Sequence, residues 1–225
     1  MSCAPAHATL PAATVGLLGG AFDPPHNGHV TVAREALTQL ALSRLLLVVT
    51  GSAPHKEIGT DSAVRYRLAE LAFADLENAE VSRIELERSG PSYTLETVRW
   101  ARERYGETTF IVGADEFASF LDWYEPDGVL EAAHLAVATR PGFPRETLEP
   151  VLAGLRRADR VHFFSIPEMP ISSREIRELV AAGEDVSELV PALVAAELRE
   201  RRLYCDETTP EQVISEGMTP TCEGS

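Results

Sequence analysis

Short apolar runs alternate with amphipathic stretches along most of the chain. The apolar runs are rich in leucine and β-branched residues, as is typical of strands buried on both faces. They predict strands over Thr14–Leu18, Arg44–Thr50, Glu80–Leu86, Thr108–Val112, His134–Thr139 and Val161–Ile166. Apolar residues recur at helical spacing over Gly28–Leu42, Ser62–Leu76, Tyr93–Tyr105, Asp115–Phe120, Arg145–Arg157, Ser172–Ala182 and Ser187–Leu203. This alternation predicts an α/β fold, a Rossmann-like doubly wound parallel sheet with helices on both faces.

The length of 225 residues favours a single domain, which we place at residues 14–204. Residues 1–13 are rich in Ala and Pro, and we expect this N-terminus to be frayed. Residues 206–225 hold five acidic residues and no basic ones, so we expect an acidic, disordered tail. The apolar runs are too short to cross a bilayer, which takes about 20 residues. We therefore expect no membrane partner.

The charge balance also restricts the class of partner. The chain carries 20 basic and 35 acidic residues, a net charge of −15. A nucleic-acid surface needs clustered Lys and Arg, so we expect no nucleic-acid partner, although a few local groups can still hold a small anion. Cys3, Cys205 and Cys222 lie far apart without a C-x-x-C pair. This spacing excludes a disulfide framework and a zinc ribbon, and it favours a cytoplasmic localisation.

The first strand runs into a segment with the marks of a phosphate site, GGAFDPPHNGH. Gly19 and Gly20 allow close approach of the backbone to a ligand, and a helix opens near Gly28. His26 and His29 are three apart, so both imidazoles can point the same way from the first helical turn. A helix N-terminus binds anions and favours neutral imidazoles as donors. The alternatives are two incidental histidines or a zinc site; without an H-E-x-x-H frame or a third ligand, we predict no metal site.

A second motif, ISSREIR, follows the sixth predicted strand. Ser172 and Glu175 have the spacing of a capping box, which is a purely structural explanation. The functional hypothesis adds a second phosphate-binding site to this cap. It would consist of free N–H groups, the Ser173 hydroxyl and Arg177 one turn along.

Together the two motifs resemble those of the nucleotidyltransferase superfamily of class I adenylyltransferases. Three further segments narrow the resemblance to the bacterial nicotinate-nucleotide adenylyltransferases. They are Pro54-His55-Lys56, Ser92-Tyr93-Thr94 and Gly113-Ala114-Asp115, with Trp123 beyond the last. The similarity extends from about Val15 to Tyr204. Each motif follows a predicted strand, so all should lie at one edge of the sheet, where ligands of open parallel sheets bind.

The resemblance implies transfer of the adenylyl group of ATP to nicotinate mononucleotide, which gives nicotinate adenine dinucleotide and pyrophosphate in NAD biosynthesis. It implies catalytic roles for His26, His29 and Arg177. The implied ATP-binding residues are Gly19, Gly20, Ala21, Phe22, Gly113, Asp115, Ile171, Ser172 and Ser173. The implied substrate-binding residues are Lys56, Tyr93, Thr94 and Trp123, with Trp123 stacked on the pyridine ring. Mg²⁺ should arrive with ATP, held mostly by phosphates and water.

Some hypotheses stay open at this stage. Trp123 is either a stacking residue or a core aromatic, and Lys56, the only lysine, is either a ligand or a solvated loop residue. The chain departs from the family at Ala21, where Thr or Ser is more usual, and at Glu96, where Asp is common. Rival functions are an adenylyltransferase for nicotinamide mononucleotide or phosphopantetheine, or a non-catalytic nucleotide-binding module. A homo-oligomer is also open.

Overall fold

Six strands form a single parallel sheet in the computed structural model, which describes residues 14–53, 58–141 and 145–205. The strands are β1 (Val15–Gly20), β2 (Arg44–Val49), β3 (Ala79–Ser82), β4 (Thr108–Gly113), β5 (His134–Thr139) and β6 (Val161–Ser165). Their order across the sheet is β3-β2-β1-β4-β5-β6, with Leu17 of β1 in register with Leu46 and Phe110 on its two neighbours. The order of strands reverses between β1 and β4, which is where such sheets bind ligands.

Helices connect the strands. Within the described residues they are α1 (Asn27–Gln39), α2 (Ser62–Phe73), α3 (Thr94–Tyr105), α4 (Ala114–Phe117), α5 (Pro126–Ala132), α6 (Glu149–Ala153), α7 (Ser173–Ala181) and α8 (Ala192–Glu200). Three short 3₁₀ turns cover Phe120–Asp122, Arg145–Leu148 and Ala158–Arg160. None of the helices in this part of the chain is long and apolar enough to cross a membrane.

Both faces of the sheet are buried, because the apolar strands direct alternate side chains to opposite sides. In β2, Leu45, Leu47 and Val49 join the core beneath α1, α2, α7 and α8. Leu46 and Val48 join the opposite core, beneath α3, α4, α5 and α6. The predicted doubly wound α/β fold is therefore confirmed.

Several elements differ from the prediction, and three of the differences have a clear local reason. Strand β3 ends at Ser82 because the N–H groups of Leu86 and Glu87 bond back to the carbonyl of Arg83 and turn the chain. The last helix starts at Ala192 with Pro191 as its N-cap, so the predicted helix over 187–203 is too long at its start. Helix α5 lies in a segment that looked polar, and it begins with proline at its first position, where the missing N–H costs nothing.

The loop after β2 is fixed against the segment that leads into α3. The N–H of Ser92 donates to the carbonyl of Ser52 at 2.7 Å, and the N–H of Ser52 donates to the Ser92 hydroxyl at 3.2 Å. Gly51 makes this close approach possible, because a Cβ there would lie only 2.4 Å from the carbonyl oxygen of Glu85. The start of α3 is thus positioned by the neighbouring strand's loop.

We predict that Gly51→Ala destabilises the protein by about 1–3 kcal/mol, the usual range for overpacking, because the added methyl group meets rigid backbone. Gly59→Ala is the matched control, since nothing lies within 4 Å of a Cβ at that position. Urea unfolding of the two variants measures the difference. Equal free energies of unfolding would contradict the close approach at Gly51.

Candidate active site

A cavity of about 350 Å³ opens at the carboxyl edge of the sheet. This volume lies in the range of small-ligand sites. Its walls come from the loops after β1, β4 and β5 and from the segment between β6 and α7. The implied site residues that line it are Gly19, Gly20, Ala21, Phe22, His26, His29, Gly113, Asp115, Ile171 and Ser173. The expectation that both motifs meet at one edge of the sheet is met by these residues.

The two histidines lie side by side at the start of α1. His26 is the N-cap residue and is buried, and its ring centroid lies 3.8 Å from that of His29. Gly28 leaves room for this arrangement, because a Cβ there would lie 2.9 Å from Nδ1 of His26. The glycine between the histidines is therefore needed because it has no side chain to collide with His26.

The hydrogen bonding of His29 fixes its tautomer. Its Nδ1 accepts the backbone N–H of His26 at 3.2 Å, so the proton of the neutral ring lies on Nε2. Burial lowers the pKa of His26 to about 4. Burial, together with the charge that His26 would carry, also lowers the pKa of His29 well below its usual value. Near neutral pH, both rings are uncharged hydrogen-bonding groups at a helix N-terminus.

The second motif is fastened to the first by hydrogen bonds. The hydroxyl of Ser173 donates to the carbonyl of Pro24 at 2.8 Å, and Arg177 Nη1 donates to the carbonyl of Asp23 at 2.6 Å. Ser172 is the N-cap of α7, where its hydroxyl accepts the N–H of Glu175 at 3.1 Å. The capping explanation of Ser172 is therefore correct, and it also holds the N-terminus of α7 beside the cavity.

Asp115 and Arg140 form an ion pair at the rim of the cavity. Asp115 stands in the first turn of α4, and Arg140 follows β5 directly. Arg140 follows the fifth predicted strand, which already places it at the binding edge of such a sheet, but the sequence analysis assigned it no role.

Sequence reasoning also missed three residues in and beneath the loop between β1 and α1. Arg65 of α2 is only 2% exposed, and it donates to the carbonyls of Ala21 at 2.8 Å and Thr60 at 3.1 Å. The hydroxyl of Tyr204 donates to the buried Asp23 carboxylate at 2.7 Å. Arg65 falls among polar positions of its helix, so nothing in its spacing distinguishes it from a surface arginine.

Three of the implied mononucleotide-binding residues, Tyr93, Thr94 and Trp123, do not line this cavity. Tyr93 and Thr94 open α3, and the Tyr93 ring packs on the exposed Tyr124 ring with centroids 4.7 Å apart. Trp123 is half-buried and makes edge contacts with Phe120 and Phe110. Trp123 therefore packs on the core, as one alternative proposed, while part of its surface stays accessible.

A basic side chain also approaches the N-terminal end of α3. Arg88 Nη2 donates to the Thr97 hydroxyl at 2.8 Å and lies 3.9 Å from Glu85, while its Nη1 lies 3.5 Å from Glu96. Two carboxylates thus neutralise this cation. The first N–H groups of α3 have no carbonyl of a preceding turn to bond, so they remain the main donors at this end.

Other sequence-based hypotheses concern residues that the structure does not describe or that it places elsewhere. Lys56, residues 1–13 and the tail over 206–225 lie outside the described residues. His134 and His162 contact each other across β5 and β6, with Nδ1 of His134 2.9 Å from Nε2 of His162. Both stand near the opposite edge of the sheet from the cavity.

Comparison with known proteins adds an independent line of evidence. The model of the cytidylyltransferase-like family matches residues 17–179. Relatives from Moorella thermoacetica and Thermus thermophilus, each named "probable nicotinate-nucleotide adenylyltransferase", are 39% and 38% identical to the chain. Both alignments cover 84% of the chain, and they cover 91% and 98% of the relatives. A Plasmodium falciparum nicotinic acid mononucleotide adenylyltransferase, solved with NaAD, shares the fold with a TM-score of 0.68. That match has 18% identity over 85% of the chain and 97% of the solved chain.

We predict that acid destabilises the fold through the buried histidines. The unfolded chain binds a proton on each histidine below about pH 6.5. The folded chain resists protonation of His26 down to about pH 4, and burial lowers the pKa of His29 in the same direction. The free energy of unfolding should therefore fall between about pH 7 and about pH 5, by on the order of 1–2 kcal/mol from His26, and His29 should add to the fall in the same direction.

Urea unfolding at these two pH values measures the fall. In His26→Gln the side chain at position 26 does not titrate, so the fall should be smaller even if the variant is less stable overall. An unchanged free energy of unfolding across this range would contradict the buried, neutral state of the pair.

Proposed function

The chain belongs to the nicotinate-nucleotide adenylyltransferases of the cytidylyltransferase-like family, and we propose on that basis that it transfers the adenylyl group of ATP to nicotinate mononucleotide. The products are nicotinate adenine dinucleotide and pyrophosphate, a step of NAD biosynthesis. ATP and the mononucleotide are its small-molecule partners.

One observation carries the proposal. The neutral ring of His29 has its proton on Nε2 and lines the cavity beside His26 and the backbone of Gly20 and Phe22. Uncharged donors gathered at a helix N-terminus form an anion site. This arrangement is suited to phosphates that gain charge during a reaction, because fixed donors need no reorganisation at that moment.

In the proposed reaction a phosphate oxygen of the mononucleotide attacks the α-phosphorus of ATP. A new P–O bond forms, and the bond from the α-phosphorus to the bridging oxygen breaks, so the electron pair leaves with pyrophosphate. The attacking oxygen is already an anion, so no general base is required. Catalysis then consists of positioning and charge stabilisation, in which we assign His26 and His29 to the α- and β-phosphates.

We assign the leaving pyrophosphate to the start of α7. Arg177 is half-buried beside Asp23, and one of its nitrogens already bonds the carbonyl of that residue. Its other N–H groups are available to phosphate oxygens, since a guanidinium has five donors. Ser172 and Ser173 hold the helix terminus in place beside the cavity. Asp115, paired with Arg140, has a second oxygen that can accept a ribose hydroxyl.

We assign the nicotinate ring to the N-terminal end of α3, near Tyr93, Thr94 and Trp123. The first N–H groups and the positive dipole end of this helix favour a carboxylate over a neutral amide. The assigned role of Lys56, at the phosphate of the mononucleotide, remains a proposal that rests on the family resemblance.

We propose that Mg²⁺ enters as a complex with ATP, where it neutralises phosphate charge. The described residues contain no group of three or more His, Cys, Asp or Glu side chains that could hold a metal ion. We therefore name no protein ligand for the ion. Mg²⁺ is usually bound by phosphate oxygens and water. We also propose a cytoplasmic location, which the cysteine spacing favours.

We predict that His29→Ala lowers kcat by about 10²–10³, the usual cost of losing one preorganised donor to a developing charge. His162→Asn is the matched control, because that histidine stands near the opposite edge of the sheet, and it should leave kcat unchanged. Steady-state release of pyrophosphate measures both variants. A folded His29→Ala enzyme with wild-type kcat would refute the assigned role.

The choice of substrate tests the proposed function directly. The helix terminus contributes up to about 2 kcal/mol in favour of the carboxylate. Donors left unpaired by an amide cost about 1–3 kcal/mol more. We therefore expect nicotinate mononucleotide to be preferred over nicotinamide mononucleotide by on the order of 10²–10³ in kcat/KM.

The measurement is pyrophosphate release from ATP with each mononucleotide, and with phosphopantetheine, supplied separately. Equal kcat/KM values for the two mononucleotides would reject carboxylate selectivity. Release with phosphopantetheine alone would replace the proposed acceptor, and release with none of the three would favour a nucleotide-binding module.

A further inference from the structure

A buried acid lies next to the segment that we assign to phosphate binding. Asp23 is 8% exposed and directly follows Phe22, which lines the cavity. A carboxylate at this place repels phosphate and competes for any nearby cation. The Asp23 side chain must therefore bond to other groups if the anion site is to work.

Arg177 is the cation that the Asp23 carboxylate could capture. Its Nη1 lies 3.8 Å from a carboxylate oxygen of Asp23, but it donates instead to the backbone carbonyl of the same residue at 2.6 Å. The arginine is therefore adjacent to the acid without forming a short bond to its charge. A small rotation of either side chain would close a direct ion pair and turn the guanidinium from the phosphates.

Tyr204 supplies a hydrogen bond that holds the Asp23 carboxylate in place. It follows α8, it adopts a left-handed backbone conformation with a φ of 63°, and its hydroxyl donates to Oδ1 of Asp23 at 2.7 Å. This bond fixes the rotation of the carboxylate, whose other oxygen, Oδ2, is the one 3.8 Å from Arg177. Burial, and then the bond to Asp23, raise the pKa of the Tyr204 hydroxyl, so it remains a protonated donor. Arg65 adds a buried positive charge close to the same carboxylate.

We propose that Tyr204 is a positioning residue for the adenylyl transfer: its hydroxyl holds the Asp23 carboxylate so that Arg177 stays available to the phosphates of ATP. The proposal rests on the proposed function and extends it to a residue at the far end of the domain. Tyr204 touches no substrate in this scheme. It acts through Asp23 on the position of Arg177.

The test is the affinity of wild type and Tyr204→Phe for ATP with magnesium, measured by calorimetry without a mononucleotide. The variant loses one hydroxyl and keeps its ring packing. We expect its Kd for ATP to rise about three- to tenfold, the worth of one hydrogen bond. Its KM for nicotinate mononucleotide should stay unchanged, because we assign that substrate to the end of α3 and not to Arg177. Tyr66→Phe loses a hydroxyl that bonds the carbonyl of Val81 at 3.4 Å and does not line the cavity, so it is the matched control and should bind ATP as wild type does.

A second substitution separates positioning from a loss of structure. Asp23→Asn removes the charge that would capture Arg177 and keeps the shape of the side chain. In that background the Tyr204→Phe change should no longer weaken ATP binding, so the double variant should match Asp23→Asn within about twofold. A merely structural role for Tyr204 predicts the same loss of ATP affinity in both backgrounds.

Two outcomes would overturn the proposal: wild-type ATP affinity in folded Tyr204→Phe, or a loss that persists in the double variant. If Tyr204→Phe does not fold, Asp23→Asn alone decides, since freeing Arg177 should leave ATP affinity equal or higher. A clear loss of affinity in Asp23→Asn would then refute the competition. Failure of the proposed function looks different: wild type would bind no ATP, or would bind ATP without using the mononucleotide.

Discussion

The site depends on the common direction of the six strands. Because all of them run parallel, each delivers its following segment to the same edge of the sheet, and residues from Gly19 to Ser173 meet around one cavity there. The reversal of strand order between β1 and β4 separates the adjoining loops and leaves room for a ligand. Two apolar cores fix the sheet from both faces, so the site stands on rigid elements.

The sequence predicted the strands, the doubly wound sheet and the edge that carries the site, because buried parallel strands read as continuous apolar runs. It could not predict contacts that only the fold creates. The bond between Tyr204 and Asp23 joins residues 181 positions apart, and the pairing of His134 with His162 depends on the register of β5 and β6. Helix α5 was missed because its short sequence carries few apolar positions and follows a polar stretch.

Buried charge is the main energetic cost of this site, and the structure compensates each instance locally. Arg65 satisfies two backbone carbonyls, one of them in the phosphate-binding segment, and it lies near the Asp23 carboxylate. Burial lowers the pKa of His26 and His29, so these two groups avoid the cost by remaining neutral. An unpaired buried ion is far more expensive than a neutral hydrogen-bonded group.

A chain with a net charge of −15 that binds two anionic substrates must attract them locally. Salt screens distant charges beyond about 10 Å, so the overall negative charge matters little inside the cavity. There, Arg140 is paired with Asp115, and Arg177, beside the cavity, is the cation that our proposal keeps available to the phosphates. A cation such as Arg177 binds phosphate charge that is already present before the reaction. Neutral donors held in fixed positions respond instead to charge as it develops, which is the condition for stabilising the transition state more than either ground state.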